Sequence, residues 1–133
     1  MRIKRKPSDY HDRGKGKTMI EISERDFDKE VLECEQLVFA CFTTSWCGHC
    51  FPTCLIAEEL INQYEERMKF VRVDKEKASE IADKYQVTVV PSIIIFQDSQ
   101  IIKRLLGYQD KLALRNLLDS LLTGLPAGNG NEA

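Results

Sequence analysis

Apolar residues along the chain follow two patterns, short continuous runs and longer stretches with a helical period. The runs predict strands, and the periodic stretches between them predict helices. The predicted strands are Met19–Ile22, Leu37–Thr43, Phe70–Val73, Ser92–Phe96 and Ile101–Leu106. The predicted helices run from a Ser23 cap to about Glu33, from Cys47 to about Met68, over Ala78–Tyr85, and onward from a cap at Asp110.

The order of these elements favours an α/β architecture. Strands that are separated by helices should run parallel, whereas the last two strands, joined by residues 97–100, should form an antiparallel hairpin. We therefore expect a mixed five-stranded sheet with helices on both faces. A chain of 133 residues favours one domain, which we assign to residues 19–122. Residues 1–18 are predicted to be a disordered basic arm, and residues 123–133 a flexible tail that follows a helix stop at Gly124.

The charge is unevenly distributed between the arm and the body. Residues 1–18 hold seven basic and two acidic residues, although the whole chain has a net charge of −2. An acidic body argues against a nucleic-acid-binding domain, so the arm is interpreted as a solvated leader. Contact of the arm with nucleic acid or an anionic membrane is the alternative. No apolar run approaches the roughly 18 residues of a transmembrane helix, and none follows the basic start, so we expect neither a membrane span nor a signal peptide.

Candidate chemistry is concentrated in the cysteines, of which three fall within eight residues. Cys47 is predicted at a helix N-terminus, where unpaired N–H groups and the helix dipole stabilise a thiolate. Cys50 lies three residues later on the buried stripe, within reach of a disulfide with Cys47. An exposed nucleophile beside a buried resolving thiol is the arrangement that thiol–disulfide exchange requires.

His49 stands between these two cysteines in the sequence. A nearby imidazole stabilises a thiolate through a hydrogen bond or, when protonated, through its charge. A more stable thiolate would make the Cys47–Cys50 disulfide a stronger oxidant. The alternative is an exposed loop histidine that makes no such contact.

The chain resembles the thioredoxin family over about residues 19–122. The matching features are Trp46-Cys47-Gly48-His49-Cys50, Val90-Pro91-Ser92 before an apolar strand, and Gly107 after the last strand. The Cys-Gly-His-Cys tetrapeptide is similar to that of protein disulfide isomerase domains.

The resemblance implies a thioredoxin fold and a protein-disulfide oxidoreductase of electron transport and cell redox homeostasis. It implies protein disulfide substrates, a thioredoxin-reductase-like electron donor, no bound cofactor, and a cytoplasmic monomer. Pro91 would be a cis-proline beside the disulfide, and Trp46 would flank the nucleophile. Val90 and Gly107 would complete an apolar rim on which substrates dock.

Three positions depart from the family pattern. Cys41 stands where family members usually have a buried acid that helps to deprotonate the resolving cysteine, and Phe70 stands where its lysine partner is usual. Leu55 stands where the family usually has a helix proline, while Pro52 falls in the first turn, where it is tolerated. The route by which Cys50 loses its proton therefore stays open.

The remaining cysteines have simple interpretations. Buried cysteines usually behave as small hydrophobic residues, and we interpret Cys41 and Cys54 in this way. Cys54 lies one helical turn beyond Cys50 on the same stripe, so participation as a third thiol is the alternative. Cys34, in the first helix region, is interpreted as a spectator.

Two other functions compete with an enzyme. Cys47, Cys50, Cys54 and His49 could ligate a metal, but zinc sites usually take their ligands from two separate pairs, and a second Cys-x-x-Cys is missing. A non-catalytic module could instead keep the fold to dock peptides, although retention of both cysteines disfavours it.

Overall fold

The protein forms a mixed five-stranded sheet in the order β1-β3-β2-β4-β5. The computed structural model describes residues 19–45, 47 and 50–123. The strands are β1 (Ile20–Glu21), β2 (Leu37–Thr43), β3 (Met68–Asp74), β4 (Ser92–Gln97) and β5 (Gln100–Leu106). The helices are α1 (Cys50–Tyr64), α2 (Ser79–Lys84) and α3 (Lys111–Thr123).

Strand β2 is the centre of the sheet, and all seven of its residues are buried. It pairs in parallel with β3 and antiparallel with β4, while β1 adds to β3 in parallel and β5 closes the hairpin with β4. A continuous apolar run is typical of a strand that is covered on both faces. The bounds predicted for β2 and the mixed sheet are confirmed.

Helices cover both faces of the sheet. Alternate residues of a strand point to opposite faces. Accordingly, Phe39 and Cys41 of β2 pack in a core with α1 and α3. Ala40 and Phe42 pack in a second core with α2 and with the segment between β1 and β2.

Two predicted helices differ from the observed elements. The segment after Ser23 is a 3₁₀ turn over Glu24–Asp26 followed by a π-helical segment over Asp28–Leu32, with the Ser23 hydroxyl accepting from the Asp26 amide as expected. Helix α1 ends at Tyr64 rather than near Met68. Met68 keeps the apolar period of α1, but it begins β3, where it is 1% exposed.

The hairpin and the last helix follow their sequence signals. Asp98 and Ser99, between β4 and β5, both have positive φ angles, as a two-residue hairpin turn requires. Asp110 caps α3, since its Oδ2 accepts from the Ala113 amide at 3.1 Å.

None of the helices in the described ranges is long and apolar enough to cross a bilayer. The predictions for residues 1–18 and for the tail beyond Thr123 lie outside the described residues, while Thr123 itself ends α3.

Candidate active site

A disulfide joins Cys47 and Cys50 at the end of the central strand. The chain leaves β2 at Thr43, turns so that the Cys47 amide donates to the Thr44 carbonyl at 3.3 Å, and enters α1 at Cys50. The Cα atoms of the two cysteines are 5.3 Å apart. The sequence pattern predicted that this helix begins at Cys47, whereas α1 begins at Cys50 and Cys47 precedes it. Strand β2, wholly buried, fixes where this loop leaves the sheet.

The two sulfur-bearing residues differ in exposure. Cys47 is half-buried in the loop, whereas Cys50 is only 4% exposed at the start of α1. This order agrees with an accessible first thiol and a sheltered second one. Trp46, Gly48 and His49, which we predicted to tune or flank the pair, lie outside the described residues.

The predicted docking residues meet at the same edge of the sheet. Because β2 and β4 are antiparallel, with Phe42 opposite Ser92, the end of β2 lies beside the start of β4. The Val90–Pro91 peptide bond just before β4 is cis, as expected. The Gly107 amide donates to the Pro91 carbonyl at 2.7 Å, which ties the end of β5 to this segment. Gly107 has a φ of +82°, in the left-handed region that favours glycine.

A cleft of about 430 Å³ opens on the other side of the disulfide. Its lining includes Cys47, Cys50 and Cys54, together with charged side chains from α1, β1 and β3. Those charged residues are Glu21, Glu58, Arg72 and Asp74. Sequence reasoning did not identify them, because they lie in separate elements that only the sheet topology brings together.

The comparisons with known proteins agree with this geometry. The family model described as Thioredoxin matches residues 18–120. The chain belongs to the thioredoxin family. Thioredoxins of Staphylococcus aureus strains Mu50, MW2 and N315 are each 33% identical to it over 104 residues, which cover 78% of this chain and 98% of theirs.

Family membership and the Cys47–Cys50 disulfide together make the protein a thiol–disulfide oxidoreductase. The expected thioredoxin fold is confirmed. Thioredoxin-family membership also implies that its substrates are protein disulfides.

The buried interior near the disulfide departs from the family pattern, as the sequence indicated. Cys41, at the position of the usual acid, is wholly buried. A hydrogen bond with Cys54 and burial raise the pKa of Cys41 well above its ordinary value. The same hydrogen bond lowers the pKa of Cys54. Phe70, at the position of the usual lysine, packs its ring against Phe39 with centroids 4.9 Å apart.

Glu58 and Arg72 supply charge in the cleft instead. Burial raises the pKa of the Glu58 carboxyl, while the Met19 amide and the Arg72 guanidinium oppose that rise. Arg72 itself is held by Glu21, with Nη2 and Oε1 2.9 Å apart. The sequence offered no signal for Glu58, since an acid in a long helix usually marks an exposed face.

The metal-site alternative finds no support in the described part of the chain. There, no group of three or more His, Cys, Asp or Glu side chains is arranged to hold a metal ion. Cys47 and Cys50 are joined to each other. His49, the remaining candidate ligand, lies outside the described residues.

Proposed function

We propose that Cys47 is the nucleophile and Cys50 the resolving thiol of this oxidoreductase. The Cys47 thiolate attacks a substrate disulfide, forms a mixed disulfide and releases one substrate thiolate. Cys50 then attacks the Cys47 sulfur, the mixed bond breaks, and the second substrate thiolate leaves. The observation that carries this assignment is a disulfide between a half-buried Cys47 and a 4% exposed Cys50.

We further propose that the substrate segment docks beside Val90, Pro91 and Gly107, with Trp46 completing the rim. The support is the position of Val90, Pro91 and Gly107 at the sheet edge from which the Cys47 loop leaves, and the hydrogen bond between Gly107 and Pro91. Two apolar side chains of the cleft beside the disulfide are also exposed: Phe51 is 69% exposed and Leu55 is 44% exposed. Exposed apolar side chains beside a reactive site are typical of protein-binding surfaces.

The Cys-Gly-His-Cys motif leads us to propose that His49 stabilises the Cys47 thiolate, with Gly48 completing a tetrapeptide of the protein-disulfide-isomerase type. We also propose a thioredoxin-reductase-like donor and a cytoplasmic, monomeric protein without a bound cofactor. Residues 19–122 would form the working domain, between a disordered basic arm and a flexible tail.

The first test is insulin reduction with dithiothreitol as the electron donor. Wild type should accelerate it, and Cys47→Ser should lower the rate to that of dithiothreitol alone, because the attacking sulfur is lost. Cys50→Ser, reduced and then freed of dithiothreitol before insulin is added, should instead accumulate mixed disulfides with insulin. Cys34→Ser, which changes a cysteine on the opposite face of the sheet, should keep the wild-type rate. Equal rates for Cys47→Ser and wild type would refute the assignment, and trapping by Cys47→Ser alone would reverse the two roles.

The second test concerns His49. His49→Pro should make the Cys47–Cys50 disulfide harder to reduce, with a change of about tenfold to a hundredfold in its equilibrium constant with glutathione. That range corresponds to a hydrogen bond to a charged group of about 1.5–3 kcal/mol. The measurement belongs in a Cys41→Ala, Cys54→Ser background, which prevents side disulfides, and His11→Ala is the matched histidine control. An unchanged or more oxidising disulfide in His49→Pro would contradict the role.

A further inference from the structure

Two further thiols lie on the same face of the sheet as the disulfide. Cys54 is one helical turn after Cys50 on α1 and lines the same cleft as Cys47 and Cys50. Cys41, on β2, is wholly buried in the core that α1 covers, and Cys54 packs against that core. Cys34, the remaining free cysteine, packs against the core on the opposite face.

The two thiols interact with each other in this core. A side-chain hydrogen bond joins Cys41 and Cys54, and it raises the pKa of the first while lowering that of the second. The interaction therefore favours a thiolate on Cys54 over one on Cys41. Arg72 lowers the pKa of both thiols through its charge, whereas Glu58 raises that of Cys54. Cys54 is also the partner that reaches the cleft, so the more nucleophilic sulfur is the more accessible one.

We propose that Cys41 and Cys54 form a second dithiol–disulfide pair, which takes over the disulfide from Cys47 and Cys50 by internal exchange. The proposal rests on the exchange at Cys47 and Cys50 described above. It assigns a redox role to Cys41, whose burial alone would suggest an inert side chain, and makes Cys54 its partner.

The exchange needs no external oxidant. The Cys54 thiolate attacks the Cys50 sulfur, a Cys50–Cys54 bond forms, the Cys47–Cys50 bond breaks, and Cys47 leaves as a thiolate. Cys41 then gives up its proton, which ends on Cys47, and attacks the Cys54 sulfur. The Cys41–Cys54 bond forms, the Cys50–Cys54 bond breaks, and Cys50 leaves as a thiolate that takes a proton from solvent. One disulfide is lost and one is gained, so the electron count of the chain is unchanged.

Both steps are within reach of the observed fold. Residues four apart on an α-helix are separated by about 6 Å along its axis, within the Cα separations of about 4.4–6.8 Å that disulfides span. Cys50 and Cys54 have this spacing in α1. The second step joins two side chains of one core, since Cys54 packs against the cluster that contains Cys41.

The consequence is a doubled electron capacity. Once the disulfide has moved to Cys41 and Cys54, the Cys47 and Cys50 thiols are free to reduce a second substrate disulfide. A fully reduced chain should therefore reduce two equivalents of insulin disulfide without an electron donor, whereas Cys54→Ser should reduce one.

The decisive measurement is a thiol count by alkylation and intact mass spectrometry. The full chain is reduced, freed of reductant and equilibrated with an oxidising glutathione buffer. Wild type, with five cysteines, should lose four thiols and keep one. Cys54→Ser should lose two. Cys41→Ala, which replaces a buried thiol with an apolar group, should also lose two and serves as the second variant of the pair.

The control and the other possible thiol counts show which assignment fails. Cys34→Ser should still lose four thiols, and a loss of only two there would assign the second disulfide to Cys34 and overturn the proposal. A loss of only two thiols by wild type would also overturn it and leave the function of Cys47 and Cys50 intact. A loss of none would refute that function itself.

A rate measurement tests the internal route. In the Cys47→Ser, Cys50→Ser double variant, Cys41 and Cys54 have no neighbouring disulfide from which to receive oxidation. Their oxidation by the same glutathione buffer should be at least tenfold slower than the loss of the second pair of thiols in wild type. Equal rates would show that the second pair is oxidised from solvent and would overturn the exchange.

Discussion

The two faces of the sheet differ in the thiols and ring clusters that they bury. The face under α1 and α3 buries a cysteine, Cys41, and several hydroxyl groups, among them those of Thr53 and Tyr64. The opposite face is closed by three aromatic rings from separate segments. Phe27, Tyr85 and Phe96 lie with their ring centroids 5.3–5.8 Å apart.

This difference separates stability from chemistry within one small domain. Apolar rings gain free energy from burial alone, whereas a buried thiol or hydroxyl needs a partner to offset its lost hydration. The α1 face holds the Cys41 thiol and the Tyr64 hydroxyl, which donates to Asp119, and among the described residues the aromatic face contains none of the cysteines given a redox role here. Strand β2 contributes alternate residues to both faces, so the sheet itself separates the two tasks.

The largest expected effect tests that separation on the aromatic face. Phe27→Ala should lower the free energy of unfolding by about 3–5 kcal/mol, because a ring that is 1% exposed leaves a cavity between Tyr85 and Phe96. Urea unfolding measures the loss. The equilibrium constant of the Cys47–Cys50 disulfide with glutathione should stay within twofold of wild type.

The matched control removes an apolar side chain from an exposed position. Leu112 is 59% exposed on α3, and Leu112→Ala should change stability by less than about 0.5 kcal/mol. A shift of the redox equilibrium in Phe27→Ala by more than tenfold would show that the aromatic face tunes the disulfide. The two faces would then not divide stability from chemistry.

An intermediate effect is expected on the α1 face, at Tyr64. Its hydroxyl donates to Oδ1 of Asp119, a contact that joins α1 to α3. Tyr64→Phe removes that hydrogen bond to a charged acceptor and should cost about 1.5–3 kcal/mol of stability near neutral pH. Asp119→Asn, which keeps an acceptor oxygen, should cost less than Tyr64→Phe in the same urea titration.

The pH dependence of this contact has a definite sign. Burial and the Asp119 carboxylate raise the pKa of Tyr64 to about 12 in the folded chain, above its ordinary value of 10.0. The contribution of Tyr64 is thus complete below pH 10 and is lost as the pH rises from there to about 12. The stability difference between wild type and Tyr64→Phe should shrink over that range. A difference that grows with pH would contradict the assignment.

The sequence could predict the elements whose bounds are set by residues within the element or directly beside it. Strand β2 followed from its apolar run, and the start of α3 followed from Asp110 as a cap. The end of α1 did not, because Met68 fits the helical period and its place in β3 depends on pairing with Leu37, far along the chain.

In the candidate active site, too, only the features with a local sequence signal could be predicted. The Cys47–Cys50 disulfide and the cis Val90–Pro91 bond were expected from local motifs and a family resemblance. The contact of Cys41 with Cys54 and the charges of Glu58 and Arg72 arise where α1 crosses the sheet. Such crossings depend on topology, which no local pattern encodes.

The smallest expected effect concerns Thr53, one turn after Cys50 on α1. Its side chain is fully buried, and its Oγ1 has no hydrogen-bond partner in the part of the chain that the structure describes. Thr53→Val replaces this hydroxyl with a methyl group of similar shape and removes the cost of burying it. We expect stability to rise by up to about 1 kcal/mol. Thr53→Ser, which keeps the hydroxyl and loses the methyl group, should instead lower stability by about 1 kcal/mol. Opposite signs for these two variants in urea unfolding would support an uncompensated hydroxyl. A clear loss of stability in Thr53→Val would show that the hydroxyl is partnered after all, and that the α1 face satisfies every polar group it buries.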